Sequence, residues 1–346
     1  MAYNDELIKA ATLNIPWEKL DGCNILVTGA TGLIGSCLID ILMLHPNMKY
    51  NVYASGRNEN RAHKYFSKYI NNPHFHFLKY DVQSPLDCKI EFQYIVHAAS
   101  NASPNFFVSQ PVEVILSNID GVKNLMNYGI KHGLKRFVFV STGEVYGEGD
   151  VQVFTEDYSG YVDCTKQRSC YPTSKRASEN LCIAYSAEYG IETVIARPSH
   201  TYGPHFTESD NRVYAQFIRN VLMDQNIIMK STGSQFRSWC YVVDCVSALL
   251  YIMLKGENNQ AYNIADENSN ISIKDLAEMI AQISGKKVVI ELPTDTEKAG
   301  YNVMTKSIFS TKKLRNLGWT INGTMRSKLE STIQERKRLQ QNHEIL

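Results

Sequence analysis

Short runs rich in β-branched and aromatic residues alternate with longer amphipathic stretches over residues 24–196. This pattern predicts strands at Asn24–Thr28, Asn51–Ala54, Phe75–Leu78, Tyr94–His97, Arg136–Val140 and Thr193–Ala196. The periodicity between them predicts helices at Leu33–Leu44, Glu59–Ile70, Pro111–His132 and Tyr171–Tyr189. Because parallel strands are joined through crossover helices, we expect an α/β fold with a doubly wound parallel sheet. Such a sheet binds its ligand at the carboxyl ends of the strands.

The rhythm changes after Pro198, where isolated helices and short strands follow one another. The segments predicted there are Val213–Met223, Ile227–Met229, Asp244–Leu254, Ala261–Ile264, Ile273–Ile283 and Met325–Gln340. We therefore expect a sheet domain over residues 1–198. Residues 199–346 would form mainly a smaller C-terminal substrate-binding lobe, with some segments returning to the sheet.

Composition and charge exclude several classes of protein. The formal net charge is +1 with scattered Lys and Arg, so no basic surface for nucleic acid is expected. Charged residues interrupt the first twenty positions, unlike a signal peptide, and the apolar run Val246–Leu254 is shorter than the ~20 residues of a membrane span. Eight cysteines without a C-x-x-C pair predict free thiols and no metal site. These features together favour a soluble cytoplasmic protein.

A glycine-rich turn follows the first predicted strand and leads directly into an apolar helix. Glycines let the backbone approach a pyrophosphate, and a helix N-terminus offers unpaired N–H groups to that anion. The G-x-x-G-x-x-G run in this position predicts the Rossmann dinucleotide site. The residues predicted to bind the cofactor in this turn are Gly29, Thr31, Gly32, Leu33, Ile34 and Gly35.

The ends of the next three strands complete the predicted cofactor site. The second strand ends at Ser55-Gly56-Arg57, where an NAD site usually has an acid. Arg57, with Arg61 one turn later, could hold a 2′-phosphate or could be a surface charge, so NAD and NADP both remain open. After the third and fourth strands, Asp81 and Val82 are predicted near the adenine, and Ala98 and Ala99 beside the cofactor.

Two further segments carry candidate chemistry. Thr142 follows the fifth predicted strand, and Tyr171 and Lys175 lie one helical turn apart, so their side chains share a face. A cation about 4 Å from the phenol would lower its pKa from about 10 toward 7. We therefore predict that Tyr171 accepts a proton, that Lys175 lowers its pKa, and that Thr142 shares the substrate hydroxyl. The spacing alone would also suit an exposed helix pair.

With these motifs the chain resembles the extended short-chain dehydrogenase/reductase family. Within it the chain is most similar to the UDP-glucuronate decarboxylases, with dTDP-glucose 4,6-dehydratases as near relatives. The resemblance extends from Asn24 to about Trp319. Beyond the motifs above, it is carried by His97–Pro104, Asn118 and Gly121, Arg168–Tyr171, Ala196–Pro198, Thr201–Pro204, Asn211–Val213, Gly233–Ser238 and Leu317–Trp319.

The resemblance implies that the enzyme oxidises the C4 hydroxyl of a nucleotide sugar with bound NAD or NADP and later returns the hydride. It implies a catalytic role near the sugar C5 for Glu144, and it adds Ser100, Asn118, Pro198, Tyr171 and Lys175 to the cofactor site. The substrate-binding residues that it implies are Ser103, Thr142, His200, Arg212 and Arg237. It also implies a homodimer formed through helices 111–132 and 171–189, and a role in polysaccharide biosynthesis.

Three positions depart from the family pattern. Gly143 stands where the dehydratases have an acid, which disfavours dehydration and favours decarboxylation. His200 replaces an asparagine and could be a core residue or a cleft residue, and Ser55 replaces an NAD-binding aspartate. Open alternatives are therefore a 4-epimerase, a 4,6-dehydratase, an NADP-dependent keto-sugar reductase and, outside enzymes, a dinucleotide-sensing regulator.

Overall fold

A seven-stranded parallel sheet forms the centre of the structure, a computed structural model that describes residues 2–208, 210–291 and 306–342. The strands of the described chain are β1 Asn24–Thr28, β2 Asn51–Gly56, β3 Phe75–Lys79, β4 Tyr94–His97, β5 Arg136–Val140, β6 Glu192–Pro198, β7 His200–Tyr202, β8 Ile227–Met229, β9 Phe236–Tyr241, β10 Gln260–Ile264, β11 Asp266–Ser272, β12 Val288–Ile290 and β13 Lys306–Ser307. The sheet order is β3-β2-β1-β4-β5-β6-β10. Because the order reverses between β1 and β4, a crevice opens there at the strand ends.

Helices cover both faces of this sheet. The α-helices of the described chain are α1 Tyr3–Ala11, α2 Leu33–Met43, α3 Glu59–Tyr65, α4 Pro104–Ser109, α5 Pro111–Lys131, α6 Cys170–Tyr189, α7 Val213–Leu222, α8 Val242–Lys255, α9 Ile273–Ser284, α10 Lys312–Arg315 and α11 Met325–Gln341. Alternate strand residues point to opposite faces. Ile25 and Val27 of β1 therefore pack in the core shared with α2 and α8, whereas Leu26 packs in the core shared with α5 and α6. The predicted doubly wound α/β fold is confirmed.

The predicted elements are present with small shifts at their ends. The helix predicted over Glu59–Ile70 is shorter, because α3 ends at Tyr65 and a separate 3-10 turn, Ser67–Tyr69, follows. β10 returns from the C-terminal half and pairs in parallel with β6. Three α-helices have no counterpart in the sequence-based prediction. They are α1, whose Tyr3 and Leu7 are buried, α4, which begins after Ser103 with Pro104 as its first residue, and the short α10.

The C-terminal half also builds the surface that faces the strand ends. β9 is central to a second sheet, with β11 antiparallel to it and β7 and β13 parallel to it. This pairing sets His200 opposite Trp239 and Ser307 opposite Arg237. Segments that are far apart in the chain thus meet at β9. Across the described ranges, no helix is long and apolar enough to cross a bilayer.

Candidate active site

A cleft of about 910 Å³ lies at the carboxyl ends of the central strands. One side is lined by residues that follow β4, β5 and β6, and by the first turn of α6. The other side is lined by residues of the C-terminal half, between positions 200 and 309. The predicted site residues that line it are Ile34, Ala98, Ser100, Thr142, Glu144, Tyr171, Lys175, Pro198, His200, Arg212 and Arg237.

The glycine-rich turn between β1 and α2 is shaped for close backbone contact. Gly29 has φ +68°, and a Cβ there would lie 2.7 Å from the Ala99 nitrogen. A Cβ on Gly35 would lie 2.3 Å from the Gly29 carbonyl oxygen. The helix that follows starts at Leu33 after Gly32, and no side chain caps it. Its first N–H groups are therefore available to an anion, and Thr31 and Ile34 lie in the same turn.

The strand next to this turn carries a buried histidine. Thr28 Oγ1 lies 2.7 Å from His97 Nδ1, and burial, with the charge of Lys175, lowers the His97 pKa to about 3. The ring fits because Gly121 on α5 has no side chain, since a Cβ there would lie 2.8 Å from His97 Nε2. His97 therefore remains neutral and holds the end of β4 beside β1.

Asn118 links the loop after β4 to α6. Its Oδ1 accepts a hydrogen bond from Ser100 Oγ at 2.9 Å, and its Nδ2 donates to Ser174 Oγ at 2.9 Å. Asn118 is fully buried and lies behind the cleft lining. It thereby keeps Ser100 close to the first turn of α6, which carries Tyr171 and Lys175.

The remaining predicted cofactor residues lie at neighbouring strand ends. Ser55 ends a buried run of β2, and its Oγ has no hydrogen-bond partner among the described residues. Arg57 is exposed just beyond it. After β3, Asp81 accepts a hydrogen bond from the Gln83 N–H at 3.1 Å, and the Val82 carbonyl accepts one from Asn124 Nδ2 at 2.9 Å. These residues extend the edge of the sheet away from the cleft.

The three residues of the proposed proton-transfer site meet at one wall. Thr142 directly follows β5, while Tyr171 and Lys175 lie in the first turns of α6, and all three line the cleft. Tyr171 is 6% exposed and Lys175 is 2% exposed. Lys175 Nζ lies 6.0 Å from the centroid of the Tyr171 ring and donates to the Val140 carbonyl at 2.9 Å. The predicted shared helix face is therefore present.

The electrostatics of this pair differ from the prediction. Burial raises the pKa of Tyr171, and the carboxylate of Glu144 acts in the same direction. A hydrogen bond with Thr142 and the charges of Arg212 and Arg168 lower it by less. Burial also lowers the pKa of Lys175 to about 7. The expectation that one lysine brings the phenol close to neutrality is wrong for this structure, because burial disfavours the charged form of both groups.

Glu144 is held by Arg168, a residue that was not predicted to belong to the site. Both terminal nitrogens of the Arg168 guanidinium contact its carboxylate, Nη2 to Oε1 at 2.9 Å and Nη1 to Oε2 at 2.9 Å. The Arg168 guanidinium carbon also lies 4.7 Å from the centroid of the Phe107 ring. This two-point contact fixes the direction of the carboxylate at the cleft wall. The signal in the sequence was the Arg168–Tyr171 motif, which carried the resemblance.

Phe107 and Phe309 were also missed. The Phe107 ring stacks on the Tyr171 ring at 4.7 Å between centroids, and α4 carries it there. Ser103-Pro104 could have revealed this helix, since serine favours the position before a helix and proline the first turn. Phe309 fills the place that a side chain at Gly143 would need, because a Cβ there would lie 2.1 Å from Phe309 Cζ. No local signal pairs these two positions.

The opposite wall brings two arginines into the cleft. Arg212 is held by Asp210, with Nη2 to Oδ2 at 2.6 Å and Nε to Oδ1 at 3.0 Å. Arg237 is 3% exposed and donates from Nη1 to the Phe236 carbonyl at 3.1 Å. Burial lowers the pKa of Arg237 to about 10, so the group still carries its charge at neutral pH. Two cations therefore face the wall that carries Tyr171.

His200 and Ser103 lie beside these arginines. The His200 ring centroid lies 5.3 Å from that of Trp239, and the residue lines the cleft, which resolves the alternative of a core position. Burial, then the charges of Arg237 and Arg212, lower its pKa to about 3, so it is neutral at physiological pH. Ser103 lies just outside the lining and donates to Asn211 Oδ1 at 2.7 Å.

The residues present fit a dinucleotide, because the glycine turn leaves room for a pyrophosphate and an uncapped helix starts beside it. Ser141 Oγ is buried and lacks a hydrogen-bond partner within the described residues, which suits a polar ligand in the cleft.

Over the same residues, no group of three or more His, Cys, Asp or Glu side chains could hold a metal ion. All eight cysteines are free thiols.

Comparison with known proteins gives relatives along most of the chain. UDP-glucuronic acid decarboxylase 6 of Arabidopsis thaliana is 36% identical over 79% of this chain and 77% of its own length. UDP-glucuronic acid decarboxylase 1 of Xenopus tropicalis is 33% identical over 78% of this chain and 62% of its own length. Each of these two relatives therefore matches more than three quarters of this chain.

Solved structures show the same fold. UDP-glucose 4-epimerase of Thermotoga maritima, solved with UDP-glucose, has a TM-score of 0.76 and 25% identity over 92% of this chain and 99% of that chain. UDP-glucuronic acid 4-epimerase of Bacillus cereus, solved with UDP-glucuronic acid and NAD, has a TM-score of 0.79 and 23% identity, covering 91% of this chain and 99% of that one.

The model of the NAD dependent epimerase/dehydratase family matches residues 25–265. That range contains the glycine turn, the whole of the wall around Tyr171, and both cleft arginines. The fold, the cleft and the sequence similarity agree, and this chain belongs to the NAD dependent epimerase/dehydratase family of enzymes.

Proposed function

We propose that this protein uses a bound nicotinamide dinucleotide to oxidise the C4 hydroxyl of a nucleotide sugar, and that it decarboxylates UDP-glucuronate. The observation that carries the proposal is the arrangement of the cleft. Thr142, Tyr171 and Lys175 line the wall next to the glycine turn, and Arg212 and Arg237 line the wall opposite. The relatives of similar length that carry the name UDP-glucuronic acid decarboxylase support the choice of substrate.

The first step oxidises C4 to a ketone: the hydroxyl loses its proton, and the hydrogen bonded to C4 leaves as a hydride. When bound, the dinucleotide supplies the acceptor for the hydride. Thr142 Oγ1 hydrogen-bonds the sugar hydroxyl and orients it, and the Tyr171 phenolate accepts its proton. Phe107 packs on the Tyr171 ring and excludes water from one side of it. Burial raises the pKa of Tyr171, so the cationic groups of the filled cleft must lower it before this step proceeds.

The second step is loss of the C5 carboxylate. A 4-keto sugar with a carboxylate on C5 is a β-keto acid, and it releases carbon dioxide because the electron pair passes into the ketone. The enol that results must receive a proton at C5 from water or an acid. Glu144 would hold such a water molecule, and the contact by which Arg168 fixes its carboxylate at the cleft wall supports this role. Arg237 and Arg212 would bind the diphosphate and the sugar carboxylate.

The neighbourhood of Gly143 disfavours dehydration. Expulsion of a C6 hydroxyl as water needs a proton donor near that oxygen, and glycine has none. Phe309 occupies the space beside Gly143 with an apolar ring. An acidic side chain at position 143 would collide with that ring, so decarboxylation or epimerisation suits this wall better.

The test uses the purified full-length protein with UDP-glucuronate, UDP-glucose and dTDP-glucose, with products followed by NMR. We expect a UDP-pentose and carbon dioxide from UDP-glucuronate, and no 4-keto-6-deoxy product from either hexose. Failure to convert any sugar of a panel that also contains GDP- and CDP-linked hexoses would contradict the proposal. Tyr251→Phe, on α8 and outside the cleft, is the control for Tyr171→Phe.

One observation favours a second candidate, an NADP-dependent reductase of a keto sugar. β2 ends with Ser55, Gly56 and Arg57 rather than with an acid. Such an enzyme consumes NADPH in equal amount with its product, whereas a decarboxylase returns the hydride and consumes none. Measurement of NADPH absorbance during turnover separates the two.

We also propose a homodimer formed by the outer faces of α5 and α6. Val112, Leu116 and Ile130 of α5 are 59%, 46% and 38% exposed, although apolar side chains gain by leaving water. Light scattering should give twice the chain mass, and Leu116→Glu should give the monomer.

We place the protein in the cytoplasm, where free thiols persist, with its product used in polysaccharide biosynthesis. Cell fractionation tests that placement.

A further inference from the structure

We propose that Arg61 and Arg57 form a subsite for a 2′-phosphate at the adenosine end of the cofactor site, so that the protein binds NADP(H) at least as tightly as NAD(H). This inference rests on the proposed function, because it takes the turn Gly29–Gly35 as the pyrophosphate site. It goes beyond that function by assigning which dinucleotide the protein binds, NAD(H) or NADP(H).

The first observation is the side chain at the end of β2. Sites selective for NAD place a carboxylate about 20 residues after the glycine turn, where it accepts hydrogen bonds from the ribose hydroxyls. Ser55 stands in that place, is 1% exposed, and has an Oγ without a hydrogen-bond partner in the part of the chain that the structure describes. A carboxylate there would repel a 2′-phosphate, and a serine hydroxyl does not.

The carboxylates nearby are directed elsewhere. Glu59 is exposed on α3 and faces His63 Nε2 at 3.9 Å. Asp81, after β3, accepts a hydrogen bond from the Gln83 backbone at 3.1 Å. Neither replaces the missing acid at the ribose, so the charge at this end of the site comes from arginine.

The second observation is the position of Arg61. Its side chain crosses from α3 to the glycine turn, where Nη2 donates to the Thr31 carbonyl at 3.1 Å. Its Nε is buried and has no hydrogen-bond partner among the described residues. Burial lowers the pKa of this guanidinium, and no carboxylate within those residues forms an ion pair with it. An unpaired, partly desolvated cation gains free energy when an anion binds beside it.

Arg57 supplies a second cation just beyond the end of β2. It is exposed two residues beyond Ser55, whereas Arg61 approaches from the first turns of α3. Asn58 caps the start of α3, because its Oδ1 accepts a hydrogen bond from the Arg61 backbone N–H at 2.9 Å. Guanidinium groups offer parallel donors to phosphate oxygens, so two of them suit a phosphate better than a ribose hydroxyl.

The test is calorimetric titration of the nucleotide-free full-length protein with NAD+ and with NADP+. We expect the dissociation constant for NADP+ to be equal to or lower than that for NAD+. Mass spectrometry of the nucleotide extracted from the purified protein should detect NADP(H). A dissociation constant for NADP+ that is higher than that for NAD+ overturns the proposal.

Variants separate a phosphate contact from a structural role of Arg61. Arg61→Ala should weaken NADP+ binding by about ten- to a hundredfold, the usual cost of one charged hydrogen-bond pair, and change NAD+ binding by less than about threefold. Lys64→Ala removes a charge from the exposed side of the same helix and should change neither. Equal losses for both dinucleotides in Arg61→Ala would mean that Arg61 only braces the turn, and the proposal would be wrong.

Ser55→Asp tests the same subsite without removing an arginine. It should favour NAD+ over NADP+ by about tenfold or more relative to the wild type, because it adds charge repulsion to the phosphate. An unchanged ratio in a folded variant contradicts the proposal. If the protein binds NAD+ but not NADP+, only the subsite is wrong. If it binds neither, the proposed function fails as well.

Discussion

The two walls of the cleft are built in different ways. The catalytic wall, Ser141–Glu144 with Tyr171 and Lys175, follows one strand of the central sheet and the start of the next helix. The lobe wall, His200, Arg212, Arg237 and Phe309, gathers residues from four separate segments. The catalytic wall is thus fixed to the backbone of the sheet, whereas the lobe wall depends on how the second sheet packs against it.

This difference predicts that the two walls contribute separately to the chemical step and to substrate binding. Lys175 donates to the carbonyl of Val140 on β5, and the Tyr171 ring stacks on Phe107. Both side chains therefore keep a fixed position relative to the glycine turn. The arginines of the lobe wall are held by partners in their own half, Arg212 by Asp210 and Arg237 by Phe236. We therefore expect changes in the catalytic wall to lower kcat and changes in the lobe wall to raise KM.

The largest effect is expected for Tyr171→Phe. Loss of the general base should lower kcat about a thousandfold, with dinucleotide binding nearly unchanged because the glycine turn is intact. Turnover of UDP-glucuronate and dinucleotide titration measure the two quantities. The matched control is Tyr251→Phe, because Tyr251 lies on α8 and does not line the cleft. A Tyr171→Phe enzyme with normal kcat would remove the catalytic wall from the mechanism.

A smaller effect on the opposite wall is expected for Arg237→Lys. The lysine keeps the charge but loses the planar pair of donors, so KM should rise about thirtyfold and kcat change little. Steady-state kinetics with UDP-glucuronate provide both values. Arg326→Lys, on the exposed side of α11, is the control and should leave both unchanged. A drop in kcat without a change in KM would place Arg237 with the chemistry instead.

The contact between the walls is tested by Gly143→Ala. The added methyl group would lie 2.1 Å from Phe309 Cζ, so overpacking should lower the free energy of unfolding by about 2 kcal/mol. Phe309→Leu in the same chain should recover part of that loss, because the smaller side chain leaves room. Chemical denaturation of the two single variants and the double variant measures the coupling. Additive losses would show that the two residues do not touch.

The last effect, which is the smallest when taken over one pH unit, concerns the titration of Lys175. The Lys175 pKa is lowered to about 7 in the native protein, against 10.5 ordinarily, so between pH 7 and 9 the unfolded chain binds a proton that the native chain has lost. The free energy of unfolding of the ligand-free protein should rise by about 1.4 kcal/mol per pH unit there, relative to Lys175→Met. Below pH 7 both states hold the proton, and the difference should stay constant. A flat difference from pH 7 to 9 would contradict the burial of Lys175.

Local patterns were sufficient for the central sheet and for the catalytic wall. β1, β4 and β5 have the predicted ends, because a strand buried on both faces reads as a continuous apolar run. Tyr171 and Lys175 could be paired from their spacing alone, since residues four positions apart in a helix lie on the same face. The pKa of Tyr171 could not be predicted in this way, because it depends on burial by Phe107 and on the charges of residues in other segments.

Local sequence was sufficient for the strands of residues 24–196, for the glycine turn and for the side chains that share the first turns of α6, because each depends on neighbours in the chain. Packing between distant segments was needed to show that Arg168 holds Glu144, that Phe309 fills the space beside Gly143, and that Arg61 reaches Thr31. These contacts join residues far apart in the sequence. Their geometry follows from the packing of the second sheet and of α3 against the strand ends, which no local periodicity records.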